Sequence, residues 1–282
     1  MYLSAATQMW EELKANRLAQ FGTVTAVTAI SLVLLRKWIA GGVCRCRVRL
    51  DRKTVVVTGA NTGIGKETAH DLAMRGARVV MACRDLSRAE KAAAEIRRST
   101  GNGNIVVRHL NLASLFSVRQ FVQEYTATED RLDILVNNAG KIHFDDLNFS
   151  KAPYDSLVSY RQSKLANLLF TRELARRIKG SGVTVYSLHP GVIRTELGRY
   201  VQTRYPLLSV LLSFPALLLM KTPKQGAQTS IYCAVAEGLE SHSGCYFSDC
   251  KLKEPAPEGK DDLAALRLWE ISAKLVGYQE EN

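Results

Sequence analysis

The chain has 282 residues, room for one large α/β domain or two small ones, and its 46% hydrophobic and 23% charged composition excludes wholesale disorder. A formal net charge of +11 raises nucleic acid or an anionic membrane surface as partners. The lysines and arginines are nevertheless spread along the chain, apart from one cluster (Arg36, Lys37, Arg45, Arg47, Arg49, Arg52, Lys53). No zinc-finger spacing or aromatic RNA-binding motif accompanies that cluster, so no nucleic acid is expected.

The first element is FGTVTAVTAISLVLL, Phe21 to Leu35, an uncharged run of fifteen residues. It would measure about 22 Å as a helix, against a hydrocarbon core of about 30 Å. Leu18, Trp38 and Ile39 can lengthen it, with Arg36 and Lys37 snorkelling. This predicts an N-terminal segment (1–20), a membrane anchor (21–40) and one domain (53–282). The basic cluster follows the apolar run, which by the positive-inside rule places the domain in the cytosol. A mitochondrial presequence competes with this reading, but Glu11 and Glu12 count against it.

From Thr54 short apolar runs alternate with helical periodicity, the pattern of a parallel sheet with crossover helices. TVVVTG predicts a strand, followed by a glycine loop and a helix ending at Gly76. ARVVMAC is the second strand, LSRAEKAAAEIRRST a helix stopped by GNG, and NIVVRHL the third strand. Ser114 caps a helix running towards Thr128, and LDILVNN is the fourth strand. A long helix carries Tyr160 to Ile178, and VTVYSLHPG is the next strand. A helix around Lys224 to Ala236, a short strand near GCYFSD and a terminal helix around Asp261 to Val276 complete the order. The six cysteines form no CxxC pair and have no histidine at metal-ligand spacing, so reduced thiols and no metal are expected.

TGANTGIG (Gly59, Ala60, Asn61, Thr62, Gly63, Ile64, Gly65 after Thr58) lies between a strand and a helix, where a pyrophosphate finds unpaired N–H groups. At the end of the second strand come Arg84 and Asp85. An arginine there pairs with the 2′-phosphate of NADP, whereas an acid would bind the ribose of NAD, and Arg84 comes first. Tyr160 and Lys164 stand one helical turn apart, so an ammonium would lower the pKa of a phenol from about 10 towards neutrality.

TGANTGIG, NNAG (Asn137 to Gly140), YRQSK (Tyr160 to Lys164) and HPGVIRT (His189 to Thr195) together resemble the short-chain dehydrogenase/reductase family. The likeness is strongest to its membrane-anchored retinol dehydrogenase branch. The resemblance implies a Rossmann-like doubly wound parallel sheet and an NADPH-dependent oxidoreductase acting on retinal, retinol or a similar apolar aldehyde or alcohol. It implies an endoplasmic reticulum membrane location, with mitochondria as runner-up. It assigns proton transfer to Tyr160, support of the phenolate and nicotinamide ribose to Lys164, and cofactor lining to Asn138, Ala139 and Gly140. Pro190, Gly191, Val192 and Thr195 would close over the nicotinamide amide, and Asn111 stands where the family usually has an aspartate facing the adenine. The apolar segment Tyr205 to Met220 resembles the substrate lid, and a buried helix pair is the other reading.

The interval between NNAG and the tyrosine is short. The family places there a helix bearing an asparagine and a strand bearing a serine, which need roughly 28 residues or more. Only nineteen residues, Lys141 to Ser159, are present. One helix–strand unit is therefore expected to be deleted, with about fifty residues missing by the size of a βαβ unit. Ser156, on the tyrosine's own helix face, is a poor substitute for a serine on an opposing strand. Either VTVYSLHPG moves into the empty strand position or a gap exposes strand edges. The chain is then an oxidoreductase with a shortened site, an inactive form that retains cofactor binding, or a membrane-bound interaction module.

Overall fold

The computed structural model of the chain describes residues 2–137, 156–193 and 218–278, with side chains over 20–137, 162–193 and 218–278. Helix α1 (Tyr2–Ala40) is continuous through the apolar run and beyond it at both ends. Its apolar part, Gln20–Ala40, has 21 residues and a mean hydropathy of 1.5, and none of its residues is fully buried. At 1.5 Å per residue that is about 31 Å, so the extra turns supply the length that the apolar run lacks. The hydroxyls of Thr25 and Thr28 donate to the carbonyls of Phe21 and Val24, each at 2.8 Å, keeping these polar groups satisfied within the helix.

Strands β1 (Thr54–Thr58), β2 (Arg78–Cys83), β3 (Ile105–His109) and β4 (Ile134–Val136) form a parallel sheet in the order β3-β2-β1-β4. Helices α2 (Gly63–Met74), α3 (Leu86–Thr100) and α4 (Leu115–Thr128) are the crossovers. The two-residue period of the strands sorts the core. Val55, Val57, Val79, Met81 and Cys83 pack against α2, α3 and α6 (Pro223–Val235) on one face. Val56, Val80 and Ala82 pack against Phe121 and Tyr125 of α4 on the other. This is the doubly wound architecture, and its continuous apolar strands follow from burial on both faces. Local signals set the boundaries: Asp85 accepts the Arg88 N–H at the start of α3, Ser114 accepts the Ser117 N–H at the start of α4, and Gly101 ends α3 at φ 69°.

The remaining strands form a second sheet. β5 (Ser187–His189) pairs in parallel with β6 (Tyr246–Ser248), which pairs antiparallel with β7 (Lys251–Leu252). The β6–β7 turn uses Asp249 and Cys250 at φ 54° and 57°, a two-residue turn absent from the sequence reading because neither residue is glycine or asparagine. Helix α6 packs against β4, β5 and β6, so both sheets share one helix. Among the described residues no strand joins them, and Leu135, on the face of β4 opposite Ile134 and Val136, is half exposed. Among the described residues β5 has therefore not moved next to β4, and of the two alternatives the described strands fit the gap.

Helix α5 (Ser156–Arg177) packs on α7 (Asp262–Val276) through Ala166, Leu169, Ala265 and Leu268, with Phe170 stacked on Trp269 at 5.5 Å. Its described buried side chains join this cluster rather than the one beneath α4.

Candidate active site

The cofactor-facing loop follows from β1. Gly59 (φ 61°) donates its N–H to the Ala82 carbonyl at 2.9 Å, which turns the chain sharply off the strand. Gly63 (φ 60°) opens α2, and a Cβ built on it would meet nothing within 4 Å. Thr62 is the N-cap of α2 but makes no side-chain cap, so the first N–H groups of the helix keep their donors for a ligand. The N–H groups of Ala60 and Asn61 point at the buried sulfur of Cys83, whose pKa is raised by burial, so the loop is braced from β2. Open space at Gly63, an uncapped helix start and a buried Gly65 fit a dinucleotide pyrophosphate.

The two residues after β2 play different parts. Asp85 is engaged by its own helix, accepting the Arg88 N–H at 3.0 Å. Arg84 is exposed and has no ion pair or hydrogen bond among the described residues. Asn111 is half buried, and its Oδ1 accepts the Ala113 N–H at 3.1 Å. The single side-chain oxygen expected at the adenine is thus already shared with the backbone.

Tyr160 and Lys164 lie on α5, one turn apart on one face, with the tyrosine side chain outside the described residues. Lys164 keeps solvent contact, yet the protein packed around its ammonium lowers its pKa. Asn138, Ala139, Gly140, Thr195 and most of the apolar segment Tyr205 to Met220 also lie outside the described residues.

Pro190, Gly191 and Val192 follow β5, with Gly191 at φ 92°. This turn is held by residues that the sequence reading missed. The Lys221 N–H donates to the Val192 carbonyl at 2.8 Å, while its buried side chain passes beneath Gly191 and pairs with Asp249. A Cβ on Gly191 would lie 2.9 Å from Lys221 Cδ. His189 is held below its ordinary pKa by burial, then by the charge of Lys221, with Lys164 also near enough to contribute. The local signal was Lys221 standing directly before the capping box of Thr222 and Gln225, a polar residue at the end of an apolar run.

Gly226 on α6 brings the glycine loop and the Pro190–Gly191 turn together. A Cβ there would overlap Ile193 and lie 3.5 Å from Ile64 Cγ1. The structure therefore joins the glycine loop to the Pro190–Gly191 turn through one helix. The six cysteines are free, and burial raises Cys44 to about 11 and Cys233 to about 12. No group of acids, histidines and cysteines suited to a metal occurs among the described residues.

The family profile described as short chain dehydrogenase matches residues 53–152. Mouse retinol dehydrogenase 11 is 42% identical to this chain over 86% of it and 92% of that protein. The chain belongs to the short-chain dehydrogenase family. Human retinol dehydrogenase 13 is 41% identical over 93% of this chain and 95% of its own, and human retinol dehydrogenase 12 is 42% identical over 88% and 93%. These matches make the chain a retinol-dehydrogenase-like oxidoreductase of the branch numbered 11 to 14, a family that uses NAD or NADP. An uncharacterised protein from Mycobacterium paratuberculosis shares the fold at a TM-score of 0.66 and 26% identity, covering 86% of this chain and all of that one. Hydroxysteroid dehydrogenase from Escherichia coli has a TM-score of 0.57 at 23% identity, over 72% of this chain and 96% of its own.

This short-chain dehydrogenase is shorter inside than its relatives. The alignment to mouse retinol dehydrogenase 11 spans 297 positions, whereas 86% of 282 residues supplies only about 243. Some 54 positions therefore have no counterpart here, close to the fifty expected for the deleted helix–strand unit. The split between β4 and β5 stands where that unit belongs.

Proposed function

We propose that this chain is a membrane-anchored member of the retinol dehydrogenase branch that binds NADPH but turns over retinal and retinol at a severely reduced rate. The observation that carries this reading is the division of the sheet: the four parallel strands that support the glycine loop pair continuously, and among the described residues no strand pairs with the free edge of β4. Residues 1–20 would precede the anchor at 21–40, and 53–282 would form the NADP-binding domain on the cytosolic face of the endoplasmic reticulum.

Gly59, Ala60, Asn61, Thr62, Gly63, Ile64 and Gly65 would line the pyrophosphate, with the N–H groups at the uncapped start of α2 as its donors. Arg84 would pair with the 2′-phosphate through its unengaged guanidinium. Asn111, Asn138, Ala139 and Gly140 would line the adenosine and ribose side, and Pro190, Gly191, Val192 and Thr195 the nicotinamide side. When bound, the cofactor supplies or accepts hydride at the substrate carbon. Tyr160 would hold the proton exchanged with the substrate oxygen, and the Lys164 ammonium would stabilise its phenolate. With the serine-bearing strand deleted, the carbonyl would not be held in line, and a displacement of about 1 Å can cost about 100-fold in rate.

The test is NADPH titration of the purified full chain, followed by retinal reduction with NADPH beside human retinol dehydrogenase 12. Cofactor binding with turnover at least about 100-fold below that relative, and lowered further by Tyr160→Phe, is the expected result. Comparable turnover abolished by Tyr160→Phe would overturn the reduced-rate reading. Absence of NADPH binding would overturn the cofactor reading and leave the chain an interaction module.

A further inference from the structure

The segment that joins α1 to β1 alternates in burial. Cys44, Cys46, Val48 and Leu50 turn inward and pack on the core beneath α2 and α6, while Val43, Arg45, Arg47 and Arg49 are exposed. Three arginines therefore project on one side at every second residue, directly after an apolar helix.

This row is rigidly mounted. Arg75 on α2 donates Nη1 to the carbonyls of Cys46 at 2.8 Å and Val48 at 3.0 Å, and the Leu50 N–H bonds the Arg75 carbonyl at 2.9 Å. The Cys44 N–H donates to Gln228 Oε1 at 3.0 Å, and Arg36 at the end of α1 donates to Gln225 Oε1 at 3.0 Å. Both glutamines belong to α6, so the anchor's end and the arginine row are fastened to one helix. The backbone is spoken for on its inner side, which leaves the outward guanidinium groups as the segment's free chemistry. Neither Arg45 nor Arg47 has an ion pair or hydrogen bond among the described residues. Arg49 is partly neutralised by Asp51, which accepts from Nε at 3.1 Å and Nη2 at 2.8 Å.

A fixed row of cations beside a membrane-length helix fits one partner, an anionic bilayer surface. We propose that Arg45 and Arg47, with a smaller part for Arg49, bind anionic phospholipid headgroups. They thereby hold the domain in a set orientation on the membrane. The inference rests on α1 inserting in the bilayer, but it adds a second attachment that depends on lipid charge rather than on the apolar span. Each arginine near an anionic surface contributes about fivefold in binding, and salt weakens it.

The test places the full chain in vesicles of phosphatidylcholine alone, or with one part in three phosphatidylserine. Phenylglyoxal, which forms adducts with accessible guanidinium groups, is then applied and each arginine's labelling read by peptide mass spectrometry. The exposed Arg98 and Arg267 serve as internal references. We expect Arg45 and Arg47 labelling to fall about fivefold with phosphatidylserine, Arg49 to fall less, and molar salt to restore all three. Equal labelling in both vesicles, with the chain floating alongside each, would overturn headgroup binding while leaving the anchor intact. Failure to float with either vesicle would overturn the anchor and the inference together. A chain carrying R45Q and R47Q that still floats should show no lipid-dependent change at Arg49; a retained change would count against a shared docking surface.

Discussion

Ile193, just past the Pro190–Gly191 turn, fills the space that the absent side chain of Gly226 leaves on α6. A Cβ at Gly226 would lie only 2.9 Å from Ile193 Cγ1 and 3.5 Å from Ile64 Cγ1. One glycine thus lets the glycine loop after β1 and the Pro190–Gly191 turn pack on the same point of one helix. Gly226→Ala must push Ile193 or α6 aside, and such overpacking costs about 1–3 kcal/mol. We expect a drop in melting temperature of about 2–10 °C, and NADPH affinity reduced severalfold in protein that remains folded. Gly103→Ala is the comparison, since a Cβ there meets nothing within 4 Å. It should leave both measurements near the parent.

Arg84 and Asp85 divide their work, and two substitutions separate it. Asp85 caps α3, so Asp85→Ala should cost about 1 kcal/mol of stability and leave the NADPH-to-NADH preference in place. Arg84 has no partner among the described residues, so Arg84→Ala should leave the urea midpoint unchanged. It should weaken NADPH binding by about 10- to 100-fold, the value of a charge-assisted phosphate contact, and barely touch NADH. Calorimetric titration with both cofactors reads the result. A loss of NADH binding in Asp85→Ala, with NADPH unaffected by Arg84→Ala, would reverse the cofactor preference.

Asn111 offers a gain-of-binding test. Its Oδ1 already accepts the Ala113 N–H, so one of that oxygen's two lone pairs is left for the adenine amine. Asn111→Asp keeps one oxygen for the turn and adds a second, which should tighten NADPH binding by about threefold to tenfold, the value of one hydrogen bond. Unchanged affinity would place the adenine elsewhere.

The strands and helices of the first half were legible because each carries its own boundary signal. β1 and β2 read as unbroken apolar runs, α3 begins at Asp85 and ends at Gly101, and α4 begins at Ser114. The deletion was legible as a count of residues, but its structural result was not. Whether β5 closes onto β4 depends on how α5, α6 and α7 pack, a competition among tertiary contacts that no local pattern encodes. Lys221 escaped notice for a related reason. It pairs with Asp249, twenty-eight residues later, and its importance appears only where Gly191 passes over its side chain. The β6–β7 turn, made by Asp249 and Cys250 in left-handed backbone, lacks the glycine that usually announces such a turn.

The three-residue strand β4 depends on an acid at its start, which makes its attachment sensitive to pH. The Asp133 N–H bonds the Thr54 carbonyl at 3.0 Å, and its carboxylate accepts the Thr54 N–H at 2.9 Å, Lys53 Nζ at 3.0 Å and Arg131 Nε at 2.7 Å. Burial works to raise the Asp133 pKa, but the Arg131, Thr54 and Lys53 bonds prevail and bring it from 3.8 to about 2. A carboxylate with a depressed folded pKa stabilises fully above its unfolded value and loses that stabilisation as pH falls through the folded value. The shift corresponds to about 2 kcal/mol at neutral pH, roughly half of it lost by about pH 3. Asp133→Asn should therefore lower stability by about 2 kcal/mol at pH 7, with the gap to the parent narrowing to about 1 kcal/mol near pH 3. Urea unfolding at both pH values measures the gap, and native-state hydrogen exchange at Ile134 and Val136 locates it. A gap that stays constant between pH 7 and pH 3 would show that ionisation of Asp133 plays no part in holding β4.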